Sequence, residues 1–233
     1  MTKYTEMWER VEGKHKPTYG KYFEEYKKSV NMREVIFLGR GGEGMWMAGE
    51  LLCSALINMG KYAKVIFMMT GERRGALTRS YIRYADAPTD FPAAYIYKPD
   101  ELVIGDYSVR NLVSLITDVD VPAMIRRMEP DSLCIINSSK PPQALDLAFA
   151  GRLAAVDATN IALKVLGNEF FVNMALVGAY AAATGVMELS FLQQCMKEYR
   201  NPRGRKPFSG KAGEVNLEAA RLGFEGLRFS EAK

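Results

Sequence analysis

At 233 residues, with 48% apolar and 25% charged residues, the chain is sized and composed for one soluble globular core with room for arms. A net charge of +4 is too mild for the basic stripe of a nucleic-acid-binding protein, and no apolar run approaches the roughly 18 residues that span a bilayer. Three dispersed cysteines, Cys53, Cys134 and Cys195, and one histidine, His15, are no inventory for a zinc site or an iron–sulfur cluster. Any Ser-His-Asp or Cys-His mechanism would have to use His15, which stands in a polar stretch without site features.

Residues 1–32 read as an N-terminal arm. The opening segment is polar and carries both signs of charge, unlike a signal peptide, so a cytoplasmic setting is expected. Tyr4, Trp8, Tyr19, Tyr22, Phe23 and Tyr26 need a place to be buried, on their own domain or on a neighbouring subunit. Glutamates among the lysines dilute any RNA-binding character, and FEEYKKSV is a short helix candidate.

The stretch that organises the chain comes next. Val35-Ile36-Phe37-Leu38 reads as a strand, Gly39, Gly41, Gly42 and Gly44 as a loop, and Met45, Ala48, Leu52, Ala55, Leu56 and Met59 as one helix face. Strand, glycine loop and helix form the first half of a βαβ unit. Glycines there reach positive φ and admit a close approach, and the first N–H groups of the helix favour an anion.

Ala63 to Met68 is a second strand, apolar on consecutive positions as if covered on both faces. Gly71 and Gly75 then bracket Glu72-Arg73-Arg74, a turn that grips a phosphate or carboxylate or simply makes an ion pair. The following strand sets Thr78, Ser80, Ile82 and Tyr84 against Arg79, Tyr81 and Arg83, which suits a sheet edge or an interface. Pro88, Pro92 and Pro99 punctuate the next stretch, where LVIGD is a short strand candidate and Asn111–Ile116 a better one. VPAMIRRM reads as a helix, Leu133–Asn137 as a buried strand ending in Ser138-Ser139, PPQALDLAFAG as a helix and Leu153–Val156 as another strand. Helices over Asn173–Thr184, closed by Gly185, and Met187–Tyr199 complete the body. Residues 200–233, basic and glycine-rich before the helical VNLEAARLGFEGL, read as a second arm. The expected fold is α/β: a mostly parallel, Rossmann-like sheet flanked by helices over residues 33–199, between the arms 1–32 and 200–233.

Gly39-x-Gly41-x-x-Gly44 matches the dinucleotide fingerprint only formally. The acid that should close the second strand for a ribose hydroxyl is replaced by Phe67-Met68-Met69-Thr70. No Lys-Ser/Thr pair follows the glycines, so this is not a Walker A loop.

In this order, GRGGEGMWMAGELL, GERRGALTRSYIR, the INSS turn and VDATNIAL with NEFFVNMALVGAYAAATG resemble the gamma subunit of the 2-oxoacid:ferredoxin oxidoreductases over roughly residues 33–199. The resemblance implies an α/β gamma domain that is not catalytic alone. Companion alpha and beta subunits and a ferredoxin-like subunit would supply thiamine diphosphate and 4Fe–4S clusters, with ferredoxin as electron acceptor and coenzyme A as the usual acyl acceptor. The complex would oxidatively decarboxylate a 2-oxoacid. In the family the loop is commonly GxGGQG; Glu43 stands here in place of Gln, and an ionised carboxylate would repel an anion. The site expected from this reading is Gly39, Arg40, Gly41, Gly42, Glu43 and Gly44 with Arg73, Arg74 and Gly75, facing the active-site cleft of the complex. Its role would be to shape the entrance and hold a coenzyme A phosphate or a substrate carboxylate. The competing readings are a stand-alone Rossmann-type nucleotide-binding oxidoreductase and a scaffold whose glycine loop is only a tight turn.

Overall fold

The computed structural model describes residues 18–69, 75–93, 95–114, 119–201 and 204–230. Helix α1 (Thr18–Ser29) precedes strand β1 (Arg33–Arg40), helix α2 (Met45–Asn58) and strands β2 (Tyr62–Met69), β3 (Leu77–Ala85) and β4 (Glu101–Ile104). A 3-10 turn (Tyr107–Asn111), a two-residue ribbon of β5 (Val113–Ser114) with β6 (Val119–Asp120), and α3 (Val121–Arg127) lead to β7 (Leu133–Asn137). Then follow β8 (Arg152–Val156), α4 (Ala158–Leu166), α5 (Asn173–Thr184), α6 (Leu189–Glu198), α7 (Gly210–Glu225) and β9 (Arg228–Phe229).

The main sheet runs β2-β3-β1-β4-β7-β8-β9. Its centre, β1-β4-β7-β8, is parallel, whereas β3 pairs antiparallel with both β1 and β2, and β9 antiparallel with β8. The central strands are apolar at successive positions because both faces are covered. Val35 and Phe37 join the core beneath α2, α5, α6 and α7. Ile36 and Leu38 join the opposite core, with Val109, Ile125 and Leu145.

The β1-α2-β2 unit is present but split, since β3 lies between its two strands. That placement corrects two expectations. β3 is interior and buried along its whole length, and β2 is the edge, with Tyr62 and Met69 exposed. An alternating pattern with two arginines suggested an edge; in the fold Arg83 is buried against a carboxylate of β1, its Nε 2.7 Å from Glu34 Oε1. LVIGD supplies the central strand β4, while Asn111–Ile116 contributes only the short β5 among its described residues. PPQALDLAFAG forms a 3-10 turn at Pro142–Ala144 and then irregular chain, its apolar residues closing the second core. Helix α4 was not foreseen, although Asp157 caps it by accepting from Asn160 N. Asp157→Ala should cost about 1 kcal/mol, the usual worth of such a cap, measured by chemical denaturation.

The tail expected to be an arm is part of the body. Ala219 and Ala220 of α7 are fully buried against α5, and β9 extends the sheet. Gly178 and Gly223 allow the contact: a Cβ at the first would overlap the Ala220 carbonyl oxygen, and one at the second the Ala175 oxygen. At the other end, α1 is tied to its own domain by Lys27, whose Nζ lies 2.8 Å from Asp100 Oδ2 and 3.3 Å from Glu34 Oε2. The rest of the expected N-terminal arm, residues 1–17, lies outside the described residues.

Candidate functional site

The chain leaves β1 through α2 on one face and toward β3 and β2, whereas it leaves β4 on the other face and toward β7. The order therefore reverses between β1 and β4, and the carboxyl ends of those strands bound the crevice where open α/β sheets hold ligands. The glycine loop occupies this place. Gly42 at φ +106° and Gly44 at φ +73° make the turn into α2. Gly41 N–H donates to Ala76 O at 2.6 Å and Gly75 N–H to Gly41 O at 3.1 Å, which seats the loop on the chain entering β3. Arg40, Gly41, Gly42, Gly44 and Gly75 thus lie together at the surface, with Gly39 and Glu43 buried behind them. Arg73 and Arg74, expected beside them, lie outside the described residues.

Arg40 closes the front of the loop. Its Nε lies 2.5 Å from Asp106 Oδ2, Nη2 donates to Ser108 Oγ at 2.9 Å and Nη1 to Gly75 O at 3.3 Å. Burial opposes charge on Asp106, but hydrogen bonds from Ser108 and Arg40 hold its carboxyl below the usual range.

Glu43 does not project into the crevice as an exposed anion. It is 8% exposed and folds back so that Oε2 accepts from Arg40 N–H at 2.7 Å. Gly39 and Gly105 make room for it; a Cβ on Gly105 would sit 3.0 Å from that oxygen. Burial pushes the Glu43 carboxyl up to about 7; Asp106 adds to this, and the Arg40 N–H and guanidinium oppose it. The repulsion expected of this residue is therefore only partial near neutral pH.

Other residues at this edge escaped the sequence reading. Asn137, ending β7, donates through Nδ2 to Gly105 O at 2.7 Å and Thr159 Oγ1 at 2.9 Å, and accepts from Thr159 N–H. It laces the ends of β4, β7 and β8 together, a structural reason for the INSS and VDATN segments. Asn173 opens α5 and donates to Gly44 O at 3.4 Å. A Cβ on Gly44 would run into the Asn173 amide and hold a left-handed φ. Gly44→Ala should lower stability by about 1–2 kcal/mol, read in equilibrium unfolding. Between α4 and α7, at the same edge, a shallow cleft of about 380 Å³ is lined by Ser139, Asp157, Lys164, Leu222 and Arg228.

Exposed aromatic residues stand close in sequence to the loop and to Asn173. Trp46, two residues past Gly44, is 43% exposed; Phe170 and Phe171, just before Asn173, are 48% and 46% exposed. The three thiols are buried, and burial raises Cys53 to about 11. Among the described residues, no group of His, Cys, Asp and Glu is arranged to hold a metal ion, and no helix is long and apolar enough to cross a membrane.

The split sheet bears on the dinucleotide reading. A ribose-binding acid belongs at the end of the strand beside β1, yet β3 occupies that position and β2 lies two strands, roughly 10 Å, away.

Comparison with known proteins gives a consistent result. Residues 34–226 match the model for pyruvate ferredoxin/flavodoxin oxidoreductases. The chain is 36% identical over 196 residues to the pyruvate/ketoisovalerate oxidoreductases common subunit gamma of Thermococcus kodakarensis, covering 83% of this chain and 96% of that one. It is 34% identical over 194 residues to the pyruvate synthase subunit PorC of Methanothermobacter thermautotrophicus, covering 83% and 95%. Among solved structures, it is similar to the pyruvate oxidoreductase subunit PORC of Thermotoga maritima, with a TM-score of 0.67 and 26% identity over 86% of this chain and 99% of that one. By sequence and by fold, the chain belongs to the pyruvate ferredoxin/flavodoxin oxidoreductase family, among its gamma subunits.

Proposed function

We propose that this gamma subunit forms one wall of the active-site entrance in a cytoplasmic 2-oxoacid:ferredoxin oxidoreductase complex. Thiamine diphosphate and the iron–sulfur clusters sit on companion alpha, beta and ferredoxin-like subunits, and ferredoxin takes the electrons. Decarboxylation of a 2-oxoacid needs the carbanion stabilisation that thiamine supplies. The role of this chain is positioning. The observation that carries the reading is the glycine loop at the β1/β4 reversal, with exposed Trp46, Phe170 and Phe171 close in sequence to the loop and to Asn173. Exposed aromatic side chains near a glycine loop suit contact with a partner subunit that brings its cofactor to the loop.

Backbone N–H groups at the start of α2, which no side chain caps, and the arginines of the Glu72-Arg73-Arg74 turn hold the anionic end of a ligand. That end is a phosphate of coenzyme A or the carboxylate of the 2-oxoacid. Arg40 is engaged by Asp106 and keeps the loop in shape rather than gripping. Two experiments test this. The purified chain alone should show no 2-oxoacid oxidation; turnover without companions would refute the accessory role. In the assembled complex, Arg73→Ala with Arg74→Ala should raise KM for coenzyme A or for the 2-oxoacid about tenfold or more, the loss of one charge-assisted contact. Unchanged Michaelis constants for both would remove the gripping role.

A further inference from the structure

β3 carries two buried arginines on the same face, and among the described residues only one has a counterion. Arg83 meets Glu34 at 2.7 Å and donates to the Pro92 carbonyl at 3.0 Å. Arg79, four residues earlier, is 3% exposed, and its Nε has no acceptor among the described residues. No ion pair involves it among the described residues. It lies between Leu38 of β1 and Met68 of β2 in register, two residues short of the end of β1, where the glycine loop begins. The rings of Tyr81 and Tyr95 flank the guanidinium, their centroids 5.7 and 5.9 Å away.

Arginine does not shed its proton in proteins, so burial cannot neutralise it as it would a lysine. A buried, uncompensated cation is among the costliest features a core can hold. Tyr81 gives the guanidinium a hydrogen bond but not the missing anion: burial raises its phenol above the ordinary value despite the charge and hydrogen bond of Arg79. Cation–π contacts recover only part of the lost hydration. Tyr95, in irregular chain, is 39% exposed. Its ring therefore touches both the guanidinium and solvent.

We propose that Arg79 is an oxyanion-receiving site: its guanidinium takes a carboxylate or phosphate brought from outside this chain, with Tyr95 as the movable cover. Guanidinium geometry suits either group through paired N–H donors. The oxyanion comes from an acidic side chain of a companion subunit or from a small free anion. The proposal does not depend on how the glycine loop is used.

The test is thermal unfolding of the full chain, wild type against Arg79→Met, with inorganic phosphate titrated against chloride at matched ionic strength. Methionine keeps the length and the ring contacts without the charge. In chloride, Arg79→Met should melt no lower than wild type, because relief of a buried charge without a counterion offsets the lost contact with the Tyr81 phenol. Saturating phosphate should raise the wild-type Tm by about 5 °C or more and leave the variant unchanged, which identifies a small anion. If phosphate moves neither, wild type should still be retained by the companion subunits in co-purification, and Arg79→Met should be retained about tenfold less, which identifies a partner's carboxylate. A variant that is unfolded or melts well below wild type in chloride overturns the proposal. So does equal behaviour of the two proteins in both the phosphate and the co-purification arms.

Discussion

Glu43→Gln should make the protein more stable at pH 8 by roughly 3 kcal/mol and leave it nearly unchanged at pH 4. The sign follows from burial, which lifts this carboxyl from 4.5 to about 7, with Asp106 adding to the shift and Arg40 opposing it. Between those two values the folded state binds more protons than the unfolded state, so wild-type stability falls as pH rises through the window. Below it the group is neutral in both states and glutamate resembles glutamine. Above it the wild type must hold a buried charge, which the amide never carries. The amide oxygen can still accept from Arg40 N–H, the one hydrogen bond this side chain makes through Oε2 at 2.7 Å. Thermal melts of both proteins from pH 4 to 8.5 should diverge above neutrality by on the order of 5–10 °C. Parallel curves would show that Glu43 titrates normally and that its burial does not matter. In the assembled complex the same charge would sit beside a ligand's anionic end. KM for coenzyme A should therefore climb across pH 7 in wild type and stay flatter in Glu43→Gln.

The residues of the glycine loop were legible in the sequence because their backbone demands are local: Gly42 and Gly44 do adopt positive φ, and the strand and helix they join fall where periodicity puts them. The family motifs were legible as an ordered set, and the fold explains why they recur together, since Gly39–Gly44, Asn137 and Thr159 all stand at the carboxyl ends of parallel strands. What could not be read was long-range. Nothing local in Leu77–Ala85 says that this strand inserts between β1 and β2, because that is decided by pairing partners on either side. Nor does Glu43 announce its inward fold, which needs the missing side chains of Gly39 and of Gly105, over 60 positions away. The tail misled for a related reason: its basic, glycine-rich start looks like an arm until α5 supplies a small surface for the helix that follows to meet.

Gly178→Ala tests that last contact and carries the largest expected loss of stability, about 3 kcal/mol, at the upper end for overpacking. The intrinsic effect has the opposite sign, since alanine within a helix is favoured over glycine by roughly 0.5–1 kcal/mol. Packing decides the outcome. A Cβ at Gly178 would overlap the Ala220 carbonyl oxygen, and Gly223 presents the reciprocal problem to Ala175. In each case the obstacle is backbone, which cannot rotate out of the way as a side chain would. The two helices would have to separate along a face where Ala175, Ala179, Ala219 and Ala220 are all buried, opening gaps too small for water. α5 also begins at Asn173, which bonds Gly44 of the loop, so a displaced α5 shifts one wall of the candidate site. Thermal unfolding should show a fall of about 6–12 °C, and the complex should lose activity alongside it. Gly185→Ala is the matched control: it ends the same helix at φ +63° with open space around it, so it should lose only the backbone term of about 1–2 kcal/mol. If Gly178→Ala melts at or above the wild-type temperature, α5 and α7 are not in the close contact described, and the C-terminal helix is free to act as an arm after all.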